Sequence, residues 1–228
     1  VSLNIVFENE NFVVADKEAG VLSTPSRHEA EDNRRCLGRE LEEHYKIQIF
    51  PVHRLDFEVS GLVLYAKNAD AHRKSNVWFE DKTVTKTYAA MTTGQDFSHI
   101  PADIKGPRRV LELNPGEMFE WKCSILRGKR RSYESPHGKQ SLTRATYKGR
   151  SAKKYHQWYL EPVTGRPHQL RFELSRHGFP IVGDSLYGSR ETLQKDVIAL
   201  RAFKIDFTKA EDAKSLGLPE IIEVPGLF

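Results

Sequence analysis

Residues 51–67, PVHRLDFEVSGLVLYAK, decide how this chain is read. Positions 61–66, GLVLYA, form an almost unbroken apolar run. So short a run, bounded by Ser60-Gly61 and by Lys67-Asn68, predicts a strand buried on both faces. The Ser-Gly pair predicts a tight turn at its start. Just upstream stand His53, Arg54 and Asp56, three polar groups within four positions. An acid and a base are thereby held at the mouth of a rigid strand, which is how a site is preorganised. Two structural readings stand beside that one. Arg54 pairs with Asp56, or Asp56 accepts backbone N–H groups within the turn.

Outward from this stretch, residues 5–7 and 12–15 predict a strand pair joined by Glu8-Asn9-Glu10-Asn11. Leu37, Leu41 and Tyr45 recur every four residues and predict an amphipathic helix, with Asp32 or Asn33 as its cap. Residues 69–79 predict a second helix, capped by Asn68 or Asp70, with Val77, Trp78 and Phe79 packing its C-terminal end. The β-branched content of residues 84–93 predicts a strand, and period two sets Val84, Lys86, Tyr88 and Ala90 on one face. From 96 to 138 the pattern is weak. Ile104, Val110, Leu111 and Leu113 suggest short strands, and Asn114-Pro115-Gly116 marks a turn. Further strands are predicted over 142–147, 155–160 and 198–207. Pro167 suits the first turn of a third helix, with Leu170 and Leu174 on one face and His168 and Arg171 on another. Gly178 and Pro180 stop that helix. Strands dominate with a few helices between them, an α+β pattern.

The 228 residues are 39% hydrophobic and 29% charged, ordinary for a soluble globular protein. No run of about eighteen apolar residues exists to span a membrane. The first residues show no basic segment ahead of a long apolar stretch, so no secretory signal is expected. Cys36 and Cys123 lie far apart, without CxxC or metal-type spacing, and are expected to be unpaired thiols in a reducing cytoplasm. The formal net charge is +4, and its distribution says more than its size. Lys105, Arg108 and Arg109 form one basic cluster; Arg127, Lys129, Arg130 and Arg131 a second; Arg144, Lys148, Arg150, Lys153 and Lys154 a third. Such clusters are either solvated loops or a surface for phosphates.

Several of these strings together resemble one family. His53-Arg54-Leu55-Asp56 followed by Ser60-Gly61 resembles the catalytic motif of the RluA family of RNA pseudouridine synthases, with Val59 where members usually carry Thr. Residues 16–22, DKEAGVL, resemble the family's first motif, with Glu18 in place of its Pro. Lys86-Thr87-Tyr88 matches the Lys-x-Tyr motif, and Gly138-Lys139 leads into a β-rich run as in the family's return strand. Residues 164–171, TGRPHQLR, are the most specific match after the first, and Ile181 to Asp184 with Tyr187-Gly188 complete that block. Arg201-Ala202 stands where members often have His-Ala. The likeness runs from about Asp16 to Phe207 and is closest to the branch without an S4 RNA-binding domain.

The resemblance implies a single catalytic domain over residues 1–228, with a mixed, mainly antiparallel sheet, flanking helices and a central cleft. It implies isomerisation of uridine in RNA: a C–N glycosidic bond breaks, the uracil rotates, and a C–C bond forms. That chemistry has no redox step, so no cofactor and no metal is expected. The catalytic residues it implies are Asp56, Tyr88 and Arg171. A carboxylate among apolar strands tends to stay protonated, and a guanidinium, which does not lose its charge, keeps it ionised. Tyr88 would stack on the flipped base, and Arg54 would fill the space that base leaves. Further RNA contacts are expected from His53, Lys86, Arg166 and His168, and phosphate contacts from Arg127, Lys129, Arg130 and Arg131. The implied partner is a stem-loop of ribosomal or transfer RNA, bound by a monomer in the cytoplasm with no membrane partner. Competing classes fit less well. The nearest string to GxSxG, Gly183 to Tyr187, lacks the last Gly. There is no HExxH, and the scattered histidines read as surface and RNA-facing groups. A non-catalytic RNA-binding protein on the same fold explains the basic clusters, but not an Asp, a Tyr and an Arg each at the family's catalytic position.

Overall fold

The computed structural model describes residues 3–26, 32–152 and 154–228. Lys153 of the third basic cluster lies outside them. In chain order the elements are β1 (Ile5–Glu8), β2 (Phe12–Lys17), α1 (Leu37–Tyr45), β3 (Phe50–Pro51), β4 (Ser60–Ala66) and α2 (Ala69–Glu80). Then follow β5 (Thr85–Thr92), β6 (Met118–Arg127), β7 (Ser132–Glu134), β8 (Lys139–Arg150), β9 (His156–Pro162), α3 (Gln169–Arg176), β10 (Leu200–Asp206) and β11 (Ile221–Glu223). The chain divides into two compact units, one of residues 1–86 and 202–225, the other of residues 87–201 and 226–228.

In the first unit the strands run in the order β1-β2-β4-β10-β11, with β3 also on β4. The β1–β2, β2–β4, β3–β4 and β10–β11 pairs are antiparallel, and Leu22 makes a parallel bridge to Cys36. β4 is buried on both faces, as its apolar run predicts: Leu62, Val63, Leu64, Tyr65 and Ala66 are fully inaccessible. Burying a Leu or Val in full is worth about 1.5–3 kcal/mol, so this strand anchors the unit. Phe12, Val14, Trp78, Ile205, Phe207 and Ile222 close the core around it. The tight turn lies three residues earlier than expected: Val59 N–H donates to Asp56 O at 3.1 Å. Ser60 and Gly61 already belong to the strand, and Gly61 adopts φ +117° where β4 meets the backbone of Ala202.

Both helices of this unit form where periodicity puts them, with two corrections. The N-cap of α1 is Cys36, without a side-chain bond. Asp32 lies four residues upstream and binds Arg34 instead. On α2, Asn68 caps the helix by accepting from Ala71 N–H at 2.9 Å. Its buried stripe is Ala71, Ser75 and Trp78, spaced four and three apart, so Val77 is rotated outward and exposed.

The second unit is an antiparallel sheet in the order β5-β9-β8-β6-β7. No strand forms over 93–117; the turn at Asn114 is present, with Glu117 N–H donating to Asn114 O. The strand that does form, β6, alternates: Trp121, Cys123 and Ile125 point inward, Glu120 and Lys122 outward. α3 packs into this unit with all eight residues buried. Its start differs from expectation. His168 is not helical but sits just before the helix with φ 53°, so Pro167 precedes the first turn rather than forming it. Gly178, at φ +85°, ends the helix as predicted. No helix among the described residues is long and apolar enough to cross a membrane.

Candidate active site

In the first unit the loop carrying Asp56 is braced from three sides. Ser23 Oγ donates to Leu55 O at 3.1 Å and accepts from Leu55 N–H at 3.0 Å. Gly20 N–H donates to Phe57 O at 2.8 Å. Lys17 Nζ donates to Glu18 O, Val21 O and Phe57 O at 2.8, 2.7 and 3.3 Å. Phe57 is therefore held by Lys17 and Gly20 of the first family-like stretch and Leu55 by Ser23 just after it, while Asp56 itself is half-buried and Arg54 is exposed. Tyr65 Oη, from the buried strand, donates to Ser23 O at 2.8 Å and fixes the brace to the core.

Lys17 was not among the site residues expected from sequence, yet only 1% of it is exposed. Burial pushes its pKa from 10.5 down to about 8, and the charges of Asp56 and Glu58 oppose that shift. Below about pH 8 the ammonium is charged in folded and unfolded chains alike. Between about 8 and 10.5 the unfolded chain holds more protons, so this group makes stability rise with pH. Lys17→Met is expected to remove that rise, on the order of 3 kcal/mol at most. Urea unfolding of both proteins below and within the window measures it. Lys86, also pushed down to about 8 by burial, acts in the same direction and is kept in both, so the difference between proteins is the readout. An unchanged difference across the window would mean that Lys17 is not buried charged.

His53 is corrected from an RNA-facing group to a packing one. Its ring stacks on Phe79 at 5.3 Å, and Nε2 accepts from Leu64 N–H at 3.2 Å. Burial first, and the Lys86 charge second, hold it neutral, well below the usual range. Lys86 itself lies over the other partner of that stack, 5.3 Å from the Phe79 ring centre. His156 and His177 are also buried, and burial pushes His177 down to about 4. Protonating a desolvated imidazole costs more than a surface site would, so these rings are core groups rather than RNA contacts.

In the second unit Tyr88 is buried on β5, opposite Leu160. The stretch 164–171 builds its own frame. Gln169 Oε1 accepts from Thr164 Oγ1 at 2.7 Å and from Arg166 N–H at 3.0 Å, and its amide donates to Leu142 O and Thr143 Oγ1. This ties the turn before α3 to β8. Arg166 Nε donates to Gln140 O at 2.9 Å, and His168 Nδ1 lies 3.1 Å from Tyr187 Oη. Arg171, only 2% exposed, gives Nε and Nη2 to Asp184 at 2.7 and 2.9 Å. Farther along α3, Glu173 accepts from Cys123 Sγ at 2.9 Å, and burial raises its pKa. Cys123 is thus a core thiol, as Cys36 is.

The second basic cluster divides. Arg127, Lys129 and Arg130 are exposed. Arg131 is committed inward, with Nη1 donating to Leu186 O at 2.7 Å and Nε 3.3 Å from Asp103. Sequence reading missed Lys17, Ser23 and Asp184. A lysine closing the buried strand FVVADK was the legible signal for the first; Ser23 and Asp184 act through contacts 32 and 13 residues away, which no local pattern carries.

Residues 11–176 match the family model described as RNA pseudouridylate synthase. A dual-specificity RNA pseudouridine synthase RluA from Vibrio parahaemolyticus is 30% identical over 210 residues, spanning 90% of this chain and 77% of that protein. An uncharacterized RNA pseudouridine synthase, YhcT, from Bacillus subtilis is 30% identical over 198 residues, 84% of this chain and 59% of that protein. The solved structure of human RNA Pseudouridylate Synthase Domain Containing 1 shares the fold, with a TM-score of 0.66 at 24% identity, covering 98% of this chain and 82% of that one. The α+β fold expected from sequence is thereby met. The braced Asp56 loop, the Tyr88 strand and the Arg171 helix occur within a chain that belongs to the RNA pseudouridylate synthase family, isomerases that convert uridine in RNA to pseudouridine.

Proposed function

We propose that this enzyme flips a specific uridine out of structured ribosomal or transfer RNA and isomerises it with Asp56 as the reacting carboxylate. The observation that carries the reading is the bracing of Leu55 and Phe57, which holds the backbone on both sides of Asp56 while its side chain stays half-buried. A carboxylate so placed loses little freedom when substrate arrives. In this reading Tyr88 lies against the extruded base and Arg54, exposed beside the turn, occupies the space left in the RNA. Arg171 supplies the cation that carboxylate chemistry needs. Support for ribosomal or transfer RNA comes from the resemblance to the RluA branch and from the dual specificity named in the Vibrio relative.

The test is tritium release. RNA labelled with tritium at uridine C5, taken from cells lacking this protein, loses label only when C5 becomes the glycosidic atom. Stoichiometric release from one RNA species is expected. Tight RNA binding with no release from any species would favour the non-catalytic RNA-binding alternative.

The exposed part of the basic hairpin carries a separate expectation. Replacing Arg127, Lys129 and Arg130 with Ala should weaken binding to all RNA sequences alike. It should also flatten the slope of log affinity against log salt by about 2–3, at roughly 0.7–0.9 per phosphate contact. Arg131→Ala is expected instead to lower the melting temperature, since it removes the bond to Leu186 and the pair with Asp103. An unchanged salt slope in the triple variant would show that this hairpin does not meet phosphate.

A further inference from the structure

The Arg171–Asp184 pair is more completely buried than stability alone explains. Arg171 and Asp184 are 2% and 1% exposed and meet through two parallel bonds, Nε to Oδ2 at 2.7 Å and Nη2 to Oδ1 at 2.9 Å. Replacing a buried ion pair with apolar residues is often neutral or stabilising, so such a pair is weak evidence for stability and invites a second reason. Its surroundings supply one. Asp184 is immobilised at its backbone: its N–H donates to Ile181 O at 2.9 Å, and its C=O accepts from Tyr187 N–H at 3.1 Å and Ser189 N–H at 3.0 Å. The segment is bounded by Gly183 and Gly188, both at positive φ, where an added Cβ would lie 2.7 Å from Val197 O and 2.8 Å from His99 O. The Tyr187 ring lies 5.3 Å from the Arg171 guanidinium carbon, and its hydroxyl is fixed by Ser132 N–H at 2.8 Å.

We infer that Asp184 is a positioning residue of the isomerase: it sets the plane and rotation of the Arg171 guanidinium, and so acts on the chemical step through Arg171 alone. Arginine is a long side chain with many rotamers, and its planar fork recognises a partner only when the plane is set. Gripping the Nε–Nη2 edge leaves the plane no rotation, whereas a single bond would allow it, and a lysine at position 171 has no plane to set. This inference rests on the reading that Arg171 serves carboxylate chemistry at Asp56.

The experiment compares single-turnover rate and RNA dissociation constant for wild type, Asp184→Asn, Arg171→Met, the double variant, and Asp56→Asn. Asp184→Asn keeps the shape and removes the charge. A rate loss of about a hundredfold is expected, the scale of a small misplacement of a reacting group, with RNA affinity within about threefold. The double variant should be as slow as Arg171→Met and no slower. An Asp184→Asn protein with wild-type rate overturns the inference, as do losses that multiply in the double variant, because Asp184 would then act independently of Arg171. Should Asp184→Asn not fold, Asp184→Glu keeps the charge and displaces the carboxylate by one methylene. It is expected to be slow with unchanged affinity, and full activity from it is equally fatal. Turnover by Asp56→Asn would instead overturn the underlying reading of the site, a result separable from both.

Discussion

Asp56→Asn is expected to abolish isomerisation while leaving a folded protein that binds RNA. The amide copies the shape of the carboxylate but has neither its charge nor its basicity, so it takes no part in breaking or forming a bond at the ribose or the uracil. A loss of at least about 10⁴-fold in single-turnover rate is expected, the upper end of what one proton-transferring or attacking group supplies. The loop should survive, because its braces reach Leu55 and Phe57 rather than the Asp56 side chain: Ser23 Oγ, Gly20 N–H and Lys17 Nζ are all retained. One side effect is foreseen. The Asp56 charge helps offset the burial of Lys17, so the variant should lose a little stability below about pH 8. The measurement is tritium release with enzyme in excess over RNA, alongside filter binding and a thermal melt. Appreciable turnover by a well-folded Asp56→Asn protein would remove the carboxylate from the mechanism.

Gly61→Ala is expected to be strongly destabilising. Gly61 pairs with Lys17 across β2 and β4 at φ +117°, a conformation open to glycine and strained for any side chain. An added Cβ would sit 2.1 Å from Ala202 O and 2.6 Å from Ala202 N, both backbone atoms of β10. Backbone in a paired strand does not yield as a side chain does, and β4 is already packed without access to solvent from Leu62 to Ala66. The overlap and the φ strain together should cost at least about 3 kcal/mol. Gly116→Ala is the matched comparison: φ is +91° there, but nothing lies within 4 Å of the added carbon, so only the strain of about 1 kcal/mol applies. Urea unfolding of the two variants separates the causes. Equal losses would mean that conformation alone, and not the approach of β10, requires glycine at position 61. Because β4 also carries the Leu64 bond to His53 and the Tyr65 bond to Ser23, a folded Gly61→Ala protein should be less active as well as less stable.

Much of this was readable without coordinates, and the reasons are local. The run at 61–66, short and bounded by turn signals, reads as a strand buried on both faces, the four-residue spacing of Leu37 and Leu41 makes a helix, and the start of the next one is marked by Asn68 and Asp70, of which the structure selects Asn68 because its side chain reaches the nearby N–H of Ala71. The order of polar residues around Asp56, Tyr88 and Arg171 pointed to the family, which the match over residues 11–176 established. β6 carries the same kind of local signal: Trp121, Cys123 and Ile125 alternate with Glu120, Lys122 and Ser124, the period of a strand with one face buried.

What sequence alone determined, then, was element type wherever periodicity or capping acts over a few residues, and family wherever motif order is specific. Tertiary structure decided the environment of each polar group. Whether His53 meets RNA or Leu64, whether Arg131 meets phosphate or Leu186, and whether Lys17 lies in water or against Phe57 O depend on partners 11, 55 and 40 residues distant. The energy of a charged or polar side chain is set by desolvation and by the partners that offset it, and both arise only once the chain has brought distant segments together.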